Sequence, residues 1–270
     1  VIGCGTMGGG IAMNFLNVGI PVKSLEMNQE ALDRGFGVIK KNYDIQVQRG
    51  RMTADEVDQR MALLSGTTEY EELKDADVII EAIYENIDVK VEAFQKMEAV
   101  AKPGAILASN TSGLDIDKMA AATSRPEAVI GLHFFSPANV MKLLEVVRGK
   151  DTSKETIASS MKLGKTLNKI AVLSGNAPGF IGNRMLAGYT RQAGEIILQG
   201  ATPYQVDNVL LQFGMPMGPF QMNDLVGLDL GWRARKLGGM KPEDVPITAR
   251  VADKLCELER FGQKTSRGFY

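Results

Sequence analysis

The chain has 270 residues, 44% of them hydrophobic and 23% charged, with a formal net charge of −1. That length predicts about two domains, each able to bury a core. The near-neutral charge leaves no whole-chain field for nucleic acid or an anionic membrane, and no apolar run approaches the roughly 18 residues that span a bilayer. Cysteine is limited to Cys4 and Cys256, which are expected as free buried thiols in a reducing compartment. With so few cysteines and one histidine, no cluster has metal-ligand spacing, and no metal is expected.

In chain order, short apolar runs alternate with helical stretches over the first 175 residues. The runs are Val1-Ile2, PVKSLE (21–26), ADVIIEAI (76–83), GAILAS (104–109), AVIGLHFF (128–135), KLLEVV (142–147) and KIAVLS (169–174). Helices are predicted over Gly8 to Val18, Glu30 to Arg49, a piece opened by the capping-box pattern Thr53-Ala-Asp-Glu56, Asp88 to Val100, and Ile116 to Ala122. This alternation predicts an α/β fold with a Rossmann-like, doubly wound, mainly parallel sheet. Val1-Ile2 reads as the end of a strand whose first residues are missing, so the chain is expected to be a piece of a longer polypeptide.

After Ser174 the texture changes. GNAPG (175–179) reads as a linker, and from Phe180 onward no strand pattern recurs. Helices are predicted over Phe180 to Leu198, from the Thr202-Pro203-Tyr204-Gln205 cap onward, and over about 248–259, with GMPMGPF (214–220) as a turn. The expected organisation is a dinucleotide-binding domain over 1–175 and a smaller all-helical domain over 176–270.

Gly3-Cys4-Gly5-Thr6-Met7-Gly8 fits G-x-G-x-x-G at a strand end and opens a helix of small residues. Gly3 makes the tight turn, Gly5 lets the backbone approach a pyrophosphate, and Gly8 lets helix and strand pack. Thr6 and Met7 complete the loop, whose free N–H groups and helix dipole favour an anion. Glu26 closes the next apolar run at the distance where a carboxylate accepts from the adenosine ribose. It would repel a 2′-phosphate, and no arginine follows it, so NAD is favoured over NADP.

His133 is the one histidine of the chain. Oxidising an alcohol by hydride transfer requires a base for the hydroxyl proton, and imidazole is the side chain best tuned for it near neutral pH. A lone histidine in an apolar run is ordinarily a satisfied core residue. Here Pro137-Ala138-Asn139 reads as a turn, and His133 and Glu145 lie equidistant from Asn139 on its two sides. A hairpin centred there sets Glu145 opposite His133. That also accounts for a carboxylate inside LLEVV, costly to bury without a partner. Ser109-Asn110-Thr111-Ser112 places polar side chains at a strand carboxyl end, where doubly wound folds hold ligands.

The segments VIGCGTMGGGIA, EAIYENIDVK, ASNTS, GLHFFSPANVMKLLEVV, APGFIGNR, GMPMGPF and FGQKTSRGFY occur in this order along nearly the whole chain. Together they resemble the L-3-hydroxyacyl-CoA dehydrogenases. The resemblance implies oxidation of L-3-hydroxyacyl-CoA to 3-ketoacyl-CoA with NAD in fatty-acid β-oxidation. It implies His133 as base, Glu145 as its partner, Ser112 on the substrate 3-oxygen, Asn183 positioning substrate, and Glu85 and Lys90 along the nicotinamide half of NAD. From the residues alone, Glu85 and Lys90 read as a solvated helix start and Asn183 as an ordinary helix residue. The substrate's CoA phosphates need cations, for which Arg49 is the candidate beside Lys40, Lys41 and Arg51. Ser136 stands where the family often has asparagine.

HFFSPANVMKLLEVVRG and RFGQKTSRGFY are similar to the dehydrogenase part of multifunctional β-oxidation enzymes. That likeness implies a larger multifunctional chain with a hydratase/isomerase domain upstream. The family implies a homodimer, in a bacterial cytoplasm or a eukaryotic peroxisome or mitochondrion. The rival readings are a short-chain 3-hydroxybutyryl-CoA dehydrogenase, a dehydrogenase of β-hydroxy acids lacking CoA, and a catalytically silent NAD-binding protein.

Overall fold

A computed structural model describes residues 1–270, apart from the side chain of Leu237. Seven strands form: β1 (Val22–Leu25), β2 (Leu64–Thr67), β3 (Val78–Glu81), β4 (Ile106–Ser109), β5 (Val129–Phe134), β6 (Leu143–Arg148) and β7 (Ile170–Gly175). Two pair as β1-β2 and five as β3-β4-β5-β6-β7. Ile2 bridges Leu25 and Glu81 in parallel, joining the two sets at the centre. All neighbouring strands run parallel except β5 and β6, the predicted hairpin.

The helices of this region are α1 (Thr6–Leu16), α2 (Gln29–Gln48), α3 (Ala54–Met61), α4 (Ile87–Val100), α5 (Ile116–Ala120) and α6 (Lys154–Thr166). The Thr53–Glu56 capping box is formed at α3. Successive strand residues feed two separate cores, because side chains alternate across a sheet. Ile80, Ala108, Ile130, Leu132 and Val146 join α1, α2 and α6 in one cluster. Ile79, Leu107, Val129 and Val147 join α4 and α5 in the other. Burial on both faces explains why these strands read as unbroken apolar runs.

Two elements differ from expectation. β2, Leu64-Ser-Gly-Thr67, is an outermost strand with a half-exposed, polar pattern, so hydrophobicity gave no signal for it. α6 was unpredicted between KLLEVV and KIAVLS, yet β6 and β7 are parallel and need a crossover. Ser153 caps it by accepting from Thr156 N–H.

The chain divides into compact units Val1–Asn183 and Arg184–Tyr270, so the division falls in the first turn of α7 (Gly182–Leu198), past the expected residue 175. The second unit continues with α8 (Pro203–Phe213), α9 (Pro219–Val226), α10 (Asp229–Leu237) and α11 (Ile247–Glu257). Thr202 and Gln205 form the predicted capping box of α8, and Gly214 ends it in the left-handed conformation. The expected turn over 214–220 is shorter than predicted, because Pro219 already opens α9 as a first-turn proline. α10 also lies outside expectation; apart from buried Asp229 and half-buried Trp232 and Arg235, its described residues are exposed.

Candidate active site

The glycine loop lies where the central bridge at Ile2 gives way to α1. Gly3 adopts φ +87°, and a Cβ there would meet the Ala82 carbonyl oxygen at 2.8 Å. At Gly8 a Cβ would stand 1.8 Å from the Gly3 carbonyl oxygen. Both positions therefore require glycine for the turn to close. Gly5 is different: its missing Cβ would meet no atom within 4 Å. It leaves open space in front of the α1 N-terminus, the space a pyrophosphate needs. Thr6 is exposed and Met7 half-buried beside it. Glu26 Oε1 accepts from the Cys4 N–H at 2.6 Å and Oε2 from the Met27 N–H at 3.2 Å, which holds the carboxylate against the loop. These residues fit the adenosine half of NAD.

His133 and Glu145 are direct partners across the β5–β6 ladder. His133 Nδ1 lies 2.6 Å from Glu145 Oε2, and the two residues are 5% and 1% exposed. The other oxygen, Oε1, accepts the backbone N–H groups of Ile181 (3.0 Å) and Gly182 (2.7 Å) at the start of α7. The carboxylate is thus fully engaged, and a helix N-terminus stabilises its charge. The imidazole is flanked by the rings of Phe135 and Phe180, at centroid distances of 4.3 and 5.7 Å. Apolar walls leave Nε2 as the ring's free nitrogen.

A second polar cluster forms at the carboxyl ends of β3 and of β4, which lies between β3 and β5. Glu81, wholly buried, accepts from Lys90 Nζ through both oxygens at 2.8 and 2.7 Å, and from the Ser109 hydroxyl. Lys90, 1% exposed, also lies 3.3 Å from Glu85 Oε2. Glu85 Oε1 accepts from the Thr111 hydroxyl (2.7 Å) and from the Ser112 N–H (2.8 Å) and hydroxyl (3.0 Å). Burial works to raise the Glu85 carboxyl, but the Thr111 hydroxyl, the Lys90 ammonium and Ser112 outweigh it and hold it below the usual glutamate range. For Glu81 burial dominates and pushes the carboxyl up against the opposing pull of Lys90 and Ser109.

Asn183 Nδ2 donates to the Ser112 carbonyl at 3.0 Å. This ties the β4 loop to the turn of α7 that holds Glu145. Glu85, Ser112 and Asn183 are therefore linked by hydrogen bonds, and His133 and Glu145 form a separate pair; the two sets meet at the first turn of α7, where Gly182 N–H serves Glu145 and Asn183 serves Ser112. Lys90 is the floor of that system rather than its open face, and Glu85 stands above it. Arg49 lies apart, exposed at the end of α2. Sequence reasoning missed Glu81, whose signal was present: a carboxylate within the apolar stretch VIIEAI (78–83), as unexpected there as Glu145 in LLEVV. It also missed Asn110, whose Oδ1 accepts the Phe134 N–H at 2.9 Å and anchors the end of β5.

A mainly parallel sheet that carries both a dinucleotide loop and a histidine–carboxylate pair defines an NAD-dependent dehydrogenase. The chain belongs to the 3-hydroxyacyl-CoA dehydrogenase family: residues 1–177 match its NAD-binding domain and residues 179–270 its C-terminal domain. It is 44% identical to the peroxisomal bifunctional enzyme of Danio rerio, over 100% of this chain and 38% of that protein. It is 37% identical to the peroxisomal fatty acid beta-oxidation multifunctional protein MFP2 of Arabidopsis thaliana, over 100% of this chain and 37% of that one. The chain thus spans under two-fifths of the length of these relatives. Among solved structures, (S)-3-hydroxybutyryl-CoA dehydrogenase PaaH1 from Ralstonia eutropha superposes with a TM-score of 0.89 at 34% identity, covering 100% of this chain and 96% of that one.

Proposed function

We propose that the chain oxidises L-3-hydroxyacyl-CoA to 3-ketoacyl-CoA, as the dehydrogenase segment of a longer β-oxidation protein. The observation that carries this reading is the buried His133–Glu145 pair, whose second carboxylate oxygen is held by Ile181 and Gly182 N–H. An ionised carboxylate only accepts hydrogen bonds, so Nδ1 carries the proton and Nε2 keeps its lone pair. His133 Nε2 takes the proton of the substrate's 3-hydroxyl, and Glu145 stabilises the imidazolium that results. NAD, when bound, supplies the acceptor for the C3 hydride. Phe135 and Phe180 keep water from the ring, which strengthens the electrostatic pairing. Ser112 hydrogen-bonds the substrate 3-oxygen, Asn183 positions the substrate, and Arg49 contacts the CoA phosphates.

The test is the reverse reaction: purified chain with acetoacetyl-CoA should consume NADH. Equal rates with free 3-keto acids would overturn the CoA thioester as substrate. The likeness to a 3-hydroxybutyryl-CoA dehydrogenase supports a second reading with short-chain preference, and kcat/KM for C4 against C16 substrates separates the two.

The relatives' names support a peroxisomal setting, and the buried free thiols Cys4 and Cys256 suit a reducing compartment. Among the described residues no helix is long and apolar enough to cross a membrane. The helical unit exposes Val209, Phe213, Leu225 and Val226, an apolar surface that a dimer partner or another part of a longer chain would cover. Sedimentation of the isolated chain checks the dimer.

A further inference from the structure

Lys90 and Glu81 form an ion pair buried beneath Glu85 and place two opposite charges at the floor of the site. Glu81 has no exposed surface and Lys90 has 1%, so water and salt screen neither. Glu85, above them, is half-exposed. Two carboxylates and one ammonium leave one net negative charge at the ends of β3 and β4. Glu81 lies on β3, and Glu85 is bonded to Thr111 and Ser112, which follow β4, the strand that adjoins β5 and His133. The substrate carbon must lie within reach of His133, and the hydride acceptor beside that carbon.

We propose that Glu81, without touching the cofactor, sets the charge of this floor so that the site favours the oxidised, cationic nicotinamide over the neutral reduced one. The proposal rests on the reading above, that NAD lies with its nicotinamide beside Glu85. Were Glu81 neutral, Lys90 would spend its charge on Glu85 alone, and the sum at the floor would be zero. The cationic ring would then lose an attraction that the neutral ring never had. Ser109 and the Ile83 N–H, which also bond Glu81, fix the carboxylate in place rather than alter its charge.

The experiment measures dissociation constants of NAD+ and NADH for the whole chain by fluorescence titration. In Glu81→Gln, the NAD+ constant should rise roughly three- to tenfold relative to that of NADH, as expected for one unit charge several ångströms away in a partly buried site. The double variant E81L/K90M removes both charges together and leaves Glu85 as the net negative group. Its ratio should return to that of the wild type, because a buried ion pair is replaceable by apolar residues of similar volume.

Equal weakening of both cofactors in Glu81→Gln, or an unchanged ratio, would overturn the proposal and leave Glu81 a packing residue. If Glu81→Gln fails to fold, the double variant decides: a wild-type ratio supports the proposal and a shift beyond threefold overturns it. A wild-type chain that binds neither form of NAD would instead sink the functional reading itself.

Discussion

In β3, β4, β5 and β6 almost every residue is buried, and the charges that go in with them are paired with one another: Glu81 with Lys90, Glu145 with His133. In residues 184–270 the buried charges are aspartates, and two of them serve the backbone. Asp207 accepts the N–H groups of Phe220 (3.0 Å) and Gln221 (2.8 Å) and the Tyr270 hydroxyl (2.8 Å). Asp224 accepts the N–H groups of Phe269 (2.8 Å) and Tyr270 (3.1 Å). The contrast has a simple origin. A sheet satisfies most of its own backbone, so its buried charges act chiefly on one another, with Glu145 also accepting two N–H groups at the start of α7 and Glu81 that of Ile83. Helices joined by turns leave orphan N–H groups at their starts, which Asp207 caps at α9, and irregular segments leave others, which Asp224 takes up at the chain's last two residues. The apolar cluster of the second unit is correspondingly small, built on Ala193, Val206 and Phe220.

Four changes would break or sharpen this contrast. The largest effect is expected at His133. His133→Ala should lower kcat about 10²- to 10⁴-fold, the usual worth of a positioned base, while NAD affinity in a titration stays the same. A matching loss of NAD affinity would mean that the pair holds structure as the aspartates do. Next comes Asp207→Ala, which leaves three donors without their acceptor and should cost about 2–3 kcal/mol. Hydrogen exchange should quicken over 203–226 and at 269–270 but not in β3–β6. Faster exchange throughout the sheet would show that the distinction between the two regions is wrong.

Glu26→Ala should reduce the preference for NAD over NADP about tenfold, or ~1.4 kcal/mol, read from kcat/KM with each cofactor. Unchanged discrimination would move the ribose contact away from the carboxylate that Cys4 N–H holds. The smallest effect belongs to exposed Arg49. Arg49→Ala should raise KM for acetoacetyl-CoA about threefold, the modest worth of a solvated charge, and leave KM for the pantetheine thioester as it was. A loss with both thioesters would assign Arg49 to something other than the CoA phosphates.

Much of the first region was legible because each of its signals is local or periodic. The glycine loop compresses three steric demands into six residues, and the structure shows two of them as contacts that a Cβ would violate, at Gly3 and Gly8. The hairpin register followed from the turn and from the oddity of Glu145. β2 and α6 escaped because their reasons for existing lie elsewhere in the chain. An outermost strand needs little hydrophobicity, and a crossover helix is demanded by the two strands it joins. α9 escaped because it is short and opens inside what reads as a Gly/Pro turn, and α10 because its described side chains are largely exposed.

The residues themselves determined the dinucleotide loop, the carboxylate of Glu26 held beside it, most of the strands of the first region, and the pairing of the one histidine with a glutamate. Those features rest on glycine sterics, on the alternation of strands and on spacing across a turn, all of which operate within a few dozen residues. Only the tertiary structure decided where the second polar cluster lies and what holds the dyad. Lys90 and Glu85 read as a solvated helix start until β3 brought Glu81 beneath them. The N–H groups of Ile181 and Gly182 reach Glu145 across a long stretch of chain. Burial turns ordinary charges into site-defining ones, and burial is a property of what packs around a residue rather than of its neighbours in sequence.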